Sequence, residues 1–105
     1  MTTEYSSPTL VLNIKRQFFA DIVAVPRRKQ IEYRNDTPYW LERLARVGKA
    51  PFNLRLLNGM QHPIPEATIR VLKVVHIKRN GELQFHLGKV LQVKHWYRQK
   101  ECPKD

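Results

Sequence analysis

The chain has 105 residues, 42% of them hydrophobic, which suits one modest core and a single domain. Nineteen Lys and Arg against nine Asp and Glu leave a net charge of +10, a field that gathers polyanions, of which nucleic acid is the usual one. No apolar run reaches the about 20 residues of a membrane helix, no signal peptide is visible, the lone Cys102 excludes an internal disulfide and suits a reducing cytoplasm, and the scattered histidines and few glycines give no zinc, P-loop or dinucleotide spacing, so no metal or cofactor is implied.

Residues 1–8 read as a flexible leader ending at Pro8. The apolar, β-rich run TLVLNI (9–14) predicts a buried strand. In KRQFFADIVAV, Phe18, Phe19, Ile22 and Val23 recur on one helical face, and Pro26 cannot extend the helix, which predicts a helix over about 15–24. The stretch RRKQIEYR (27–34) then predicts a strand, with Ile31 and Tyr33 toward the core and Gln30, Glu32 and Arg34 on the opposite face.

Thr37 can cap a helix that Pro38 begins, and Gly48 suits its end, so a second helix is expected over about 38–47 with Trp40, Leu41 and Leu44 as its apolar stripe. PFNLRLL (51–57) alternates with Phe52, Leu54 and Leu56 inward and ends at Asn58–Gly59. A loop with two prolines over 60–66 leads to a long β run at 67–77. Asn80–Gly81 is a strong hairpin signal, returning through ELQFHL (82–87) with Leu83 and Phe85 inward. Gly88 marks a bulge or bend before a last strand, KVLQVKHWY (89–97), and residues 98–105 read as a polar basic tail. Few helices and many short strands argue for an α+β fold, a small mixed β-barrel of about five to six strands with two helices at its ends.

Several residues stand out as candidates for a site. Glu32 and Arg34, two apart on a strand, share a face; by themselves they read as a surface ion pair worth about 0–1 kcal/mol. The run Arg27-Arg28-Lys29 reads either as a solvated loop or as a phosphate grip. Tyr39, off the apolar stripe, can stack on a base, whereas Trp40 fits core packing. Lys15 and Arg43 add charge near the two helices, and Lys89 follows the bend at Gly88. His86, beside Phe85 on the polar face of its strand, can serve as a hydrogen-bonding group or a base. Lys94, Arg98, Lys100 and Lys104 form an electrostatic fringe.

The segment KRQFFADIVAVPRRKQIEYR resembles the start of an ASCH domain, one of the PUA-like β-barrel group, whose signature is G-x-K-x-x-E-x-R. Lys29, Glu32 and Arg34 stand at the signature spacing, with Arg27 in the place of the glycine. TPYWLERL (37–44), LRLLNG (54–59) and FHLGKVLQVKHW (85–96) are similar, in order, to further segments of small bacterial and prophage members, so the resemblance spans about residues 10–97. It implies a barrel with a cleft against the first helix, lined by Lys29, Glu32 and Arg34, and a ligand that is RNA, another single-stranded nucleic acid or a modified nucleoside. One branch of the family is an amidohydrolase using a lysine and a nucleophilic threonine. Lys29 matches the lysine, but Glu32 stands where the threonine is needed, and a carboxylate does not replace a hydroxyl nucleophile of that type.

The reading is a cytoplasmic nucleic-acid-binding module, taken as a monomer, that holds a base or nucleotide in the cleft while Lys15, Arg27, Arg28, Tyr39, Arg43, His86 and Lys89 contact the rest of the ligand. Two alternatives stand beside it. One is an RNA- or nucleoside-processing hydrolase, for which Lys29, Glu32 and His86 are the candidate acid–base groups. The other is a protein-interaction module that docks an acidic partner on its basic surface.

Overall fold

In the chain's computed structural model, residues 8–104 are described, so the expected leader lies outside the described residues apart from Pro8. Strands β1 (Thr9–Asn13), β2 (Ile31–Asn35), β3 (Phe52–Leu57), β4 (Glu66–Ile77) and β5 (Glu82–Lys94) form one curled, half-barrel sheet in the order β1-β3-β4-β5-β2. The β1–β3 pair is parallel, and the other three pairs are antiparallel. Helix α1 (Arg16–Val23) follows β1 and helix α2 (Pro38–Val47) follows β2. The fold is therefore the α+β mixed barrel with two helices that the strand count suggests.

Local chemistry accounts for the helices. The Thr37 hydroxyl accepts from the Trp40 amide at 3.4 Å, Pro38 takes the first turn, and Gly48 at φ 86° ends α2. Phe19, Ile22 and Val23 put one face of α1 into the core, with Phe18 partly buried beside them. The stripe of α2 is shallower than expected. Trp40, Leu44 and Val47 pack against the core only in part, and Leu41 is exposed.

The sheet supplies most of the core. Leu10 and Leu12, then Phe52, Leu54 and Leu56, then Ala67, Ile69 and Val71, then Leu83, Phe85 and Leu87 all project inward from alternate positions of their strands. Asn53 breaks the rule: it is buried between two inward neighbours, and its side-chain oxygen accepts from Arg70 at 3.0 Å.

Three expectations need correction. First, Gly88 does not divide two strands: β5 runs unbroken from Glu82 to Lys94, but the expected bulge is there, since Ile69 to Val71 on β4 faces Val90 to Leu87 on β5, one residue more, with further register shifts on either side. A Cβ on Gly88 would stand 2.7 Å from Cδ2 of Leu72, so the glycine serves a close approach of the two strands. Second, up to Pro103 the polar stretch after Tyr97 is not separate from the fold. His95, at φ 59°, ends β5, and strands β6 (Trp96–Tyr97) and β7 (Cys102–Pro103) form a small hairpin. Buried Trp96 anchors it edge-on to Phe19, with ring centroids 5.0 Å apart.

Third, β2 faces the other way from the expectation. Tyr33 is 44% exposed and Glu32 only 3% exposed. Glu32 lies opposite Phe85 and Arg34 opposite Leu83 in the antiparallel ladder, and directly opposed residues share a face. The two charged side chains thus belong to the inner face.

Candidate functional site

Strands β1 and β2 are the two edges of the curled sheet. Between these edges, Arg34 donates from Nη2 to the main-chain oxygen of Asn13 at 2.7 Å and from Nη1 to the oxygen of Tyr33 at 2.9 Å. Its guanidinium also lies 5.6 Å from the Trp40 ring centroid. Behind this bridge sits Glu32. Its Oε1 accepts from the Tyr33 amide at 2.9 Å and lies 3.5 Å from Arg34 Nη1 and 3.8 Å from Lys29 Nζ. Its Oε2 is buried and has no hydrogen-bond partner among the described residues.

Lys29 and Arg34 cover the carboxylate, with side chains 18% and 21% exposed. Lys29 is held over two rings, 5.2 Å from the Phe18 centroid and 4.9 Å from that of Tyr33. The result is a buried acceptor under two cations and three aromatic rings, at the seam of the sheet.

Asn13, which receives the Arg34 bond, lines two hollows. Val11, Leu12, Tyr39, Trp40 and Arg43 complete one, and Ile14, Lys15, Asn58, Gly59 and Met60 the other. Arg43 and Lys15 thus each line a hollow that reaches Asn13. Tyr39 is exposed, and the Arg43 guanidinium lies 4.4 Å from its ring centroid. Asn58 ties the second hollow together, donating to the oxygen of Ile14 at 2.9 Å and accepting from Arg16 Nε at 3.1 Å.

Compared with protein-family models, with curated proteins and with solved structures, the chain matches none.

The structure brings Lys29, Glu32 and Arg34 together, but it separates other candidates from them. His86 pairs with Ile31 in the ladder, on the opposite face from Glu32, and its Nε2 is 3.2 Å from Gln84 Oε1. Arg27 is not a free phosphate grip. It donates to the main-chain oxygens of Ile22 (3.1 Å), Leu87 (3.2 Å) and Gly88, clamping the end of α1 to β5. Burial, with Arg98 nearby, lowers the pKa of Arg27. Arg28 is ion-paired with Asp21 at 2.9 Å and with Glu101, and these hydrogen bonds raise its pKa. Lys89 is exposed on β5 and forms no ion pair with the described residues.

Three participants escape a reading of the sequence: Asn13, acting through its main-chain oxygen, Phe18 under Lys29, and Trp40 beside Arg34. Trp40, an aromatic at the start of α2, carries the one local signal among them. No group of three or more His, Cys, Asp or Glu among the described residues is placed to hold a metal ion. No helix among them is long and apolar enough to cross a membrane.

Proposed function

We propose that the chain binds nucleic acid, with single-stranded RNA as the ligand to test first, and takes one base or nucleotide at the seam lined by Lys29, Glu32 and Arg34. The observation that carries the proposal is the unpartnered Oε2 of Glu32. A buried acceptor left bare costs about 1–3 kcal/mol. Such a group calls for an explanation, and a donor that arrives from outside is one that the surrounding cations favour. The exocyclic amino group or ring imino group of a base is such a donor, and Arg34 and Lys29 offset the charge of the carboxylate that receives it. The exposed Tyr39 ring and the cations Lys15 and Arg43 stand along the adjoining hollows, suited to stacking and to phosphate contact.

Two further points support the reading. The net charge of +10 favours a polyanion. These same three residues are also three of the four fixed positions of the ASCH signature that the chain resembles, with Arg27 at the fourth, a resemblance that would make the chain one of the PUA-like barrels. Less supports a hydrolase. General acid–base work needs its groups within about 3 Å of the proton they move, and His86 lies across the sheet from Glu32.

The test is binding of short single-stranded RNA at two salt concentrations, by wild type and by the double variant Glu32→Ala, Arg34→Ala. The expected result is binding that weakens as salt rises and a loss of about tenfold or more in the double variant. No binding at low salt, or an unaffected double variant, overturns the proposal.

A further inference from the structure

The hairpin β6–β7 and the loop after α1 enclose a hollow of about 460 Å³, lined by Ala24, Val25, Arg28, Arg98, Gln99 and Glu101. We infer that this hollow is a second anion subsite, which takes a phosphodiester of the same strand whose neighbouring nucleotide sits at Glu32. The ligand would then be an oligonucleotide and not a free nucleoside. The inference draws on the reading of the Glu32 seam only for the identity of the strand.

Two guanidiniums line the hollow, those of Arg28 and Arg98, and Arg27 stands beside Arg98 outside the lining. Arg27 bonds only carbonyl oxygens. Arg98 donates from Nε to the oxygen of Val23 at 3.0 Å and has no carboxylate partner among the described residues. Arg28 alone is matched, and it takes both nearby acids, Asp21 and Glu101. Three positive charges against two negative leave one uncompensated, the charge of a single phosphodiester.

The fold holds these like charges together on purpose-built supports. Arg27 and Arg98 bond the oxygens of Ile22 and Val23, adjacent carbonyls in the last turn of α1, where the helix dipole is negative. The mutual repulsion of the two arginines contributes to the lowered pKa of Arg27. Glu101, whose backbone is at φ 53°, a conformation that side-chain-bearing residues seldom adopt, lines the hollow and sets its carboxylate against Arg28 at one wall.

Position links the hollow to the seam. Arg28 lines the hollow, and the next residue, Lys29, lies on Glu32. Beyond Arg98, the hairpin continues the basic surface: Lys100 and Lys104 each stand 5.1 Å from the Tyr97 ring centroid, which is partly open to solvent. A strand leaving the seam past Lys29 meets Arg28, Arg98 and this aromatic–cationic patch in turn.

The test titrates the intact chain with short single-stranded RNA and, separately, with inorganic phosphate, following backbone amides by NMR. It includes Gln99→Glu and Gln99→Lys, changes at an exposed position. The expected result is movement of the Val25, Arg28 and Gln99 amides with RNA. Gln99→Glu should weaken RNA binding roughly fivefold and Gln99→Lys strengthen it by as much, the effect of one charge a few ångströms from a phosphate in water. RNA that moves amides around Glu32 but not around Gln99, or Gln99 variants that bind alike, overturns this inference and spares the seam. Movement around Gln99 alone overturns the seam and keeps the anion subsite. Binding of inorganic phosphate there without RNA contradicts the strand assignment, and RNA that moves neither set overturns both readings.

Discussion

Arg34 on β2 donates a 2.7 Å hydrogen bond to the main-chain oxygen of Asn13 on β1, so a side chain joins the two edges of the curled sheet. The same guanidinium lies 3.5 Å from the buried Glu32 carboxylate. Structural demands and those of the proposed site thus meet in one residue. Arg34→Ala is expected to cost about 2 kcal/mol of stability, because it strands the Glu32 charge and opens the seam. Arg34→Lys keeps a charge but not the planar fork, and is expected to recover less than half of the loss. Urea unfolding of the two variants against wild type measures both.

Glu32 should behave in the opposite way. Its Oε2 gains nothing from the protein, so neutralising the group removes a burden as well as an ion pair. Glu32→Gln is expected to change stability by less than about 1 kcal/mol, while RNA affinity falls about tenfold. Thermal unfolding and RNA binding on one preparation separate the two effects. A large loss of stability would assign Glu32 to the fold alone.

Arg27 makes a contrasting case, since its donors are spent on the oxygens of Ile22, Leu87 and Gly88. Arg27→Ala is expected to destabilise the chain by about 2 kcal/mol, by leaving carbonyls unpaired at the end of α1. Arg27→Lys cannot span three acceptors and should restore little. Chemical denaturation of both variants, compared with wild type, checks this.

How far the sequence discloses this fold depends on the range of the interactions involved. Helix α2 is bounded by Thr37, Pro38 and Gly48, all acting within a turn of themselves, and it forms over the expected residues. Gly88 signals a bulge, and the register shift does fall there; that β5 nevertheless runs on unbroken, with Leu72 of the next strand lying over the glycine, could not be read locally. The hairpin β6–β7 depends on Trp96 meeting Phe19 and on Arg28 meeting Glu101, contacts across most of the chain. For β2, alternation tells which residues share a face and not which face is inside. Hydropathy favours Tyr33 for the interior, whereas the cations around Glu32 let the carboxylate occupy it. The grouping of Lys29, Glu32 and Arg34 was legible, and its orientation was not.

The approach of Gly88 to Leu72 yields a prediction on stability. Gly88→Ala places a methyl group 2.7 Å from Leu72 Cδ2 and is expected to cost about 1 kcal/mol. In a Leu72→Ala background the same change should cost much less, because the obstructing atoms are gone. A double-mutant cycle by urea unfolding reads the coupling directly.

Acid sensitivity follows from Glu66. A 2.8 Å hydrogen bond from Arg55 holds its pKa below the ordinary 4.5. A depressed carboxylate pKa gives stability that is present above the unfolded value and lost as pH falls through the folded one. Glu66→Gln should therefore be less stable than wild type at neutral pH, by less than about 1 kcal/mol given the exposure of Arg55. The gap should close below about pH 4.5. Melting temperatures across pH 3 to 7 for the two proteins follow it.

The most direct measurement of the central claim is NMR of the Glu32 side-chain carboxyl carbon during addition of short single-stranded RNA. The account predicts a saturable shift of that resonance, larger than that of the exposed Glu42 carboxyl, as a donor from the base reaches Oε2. A Glu32 resonance that stays still while RNA saturates the protein would contradict it.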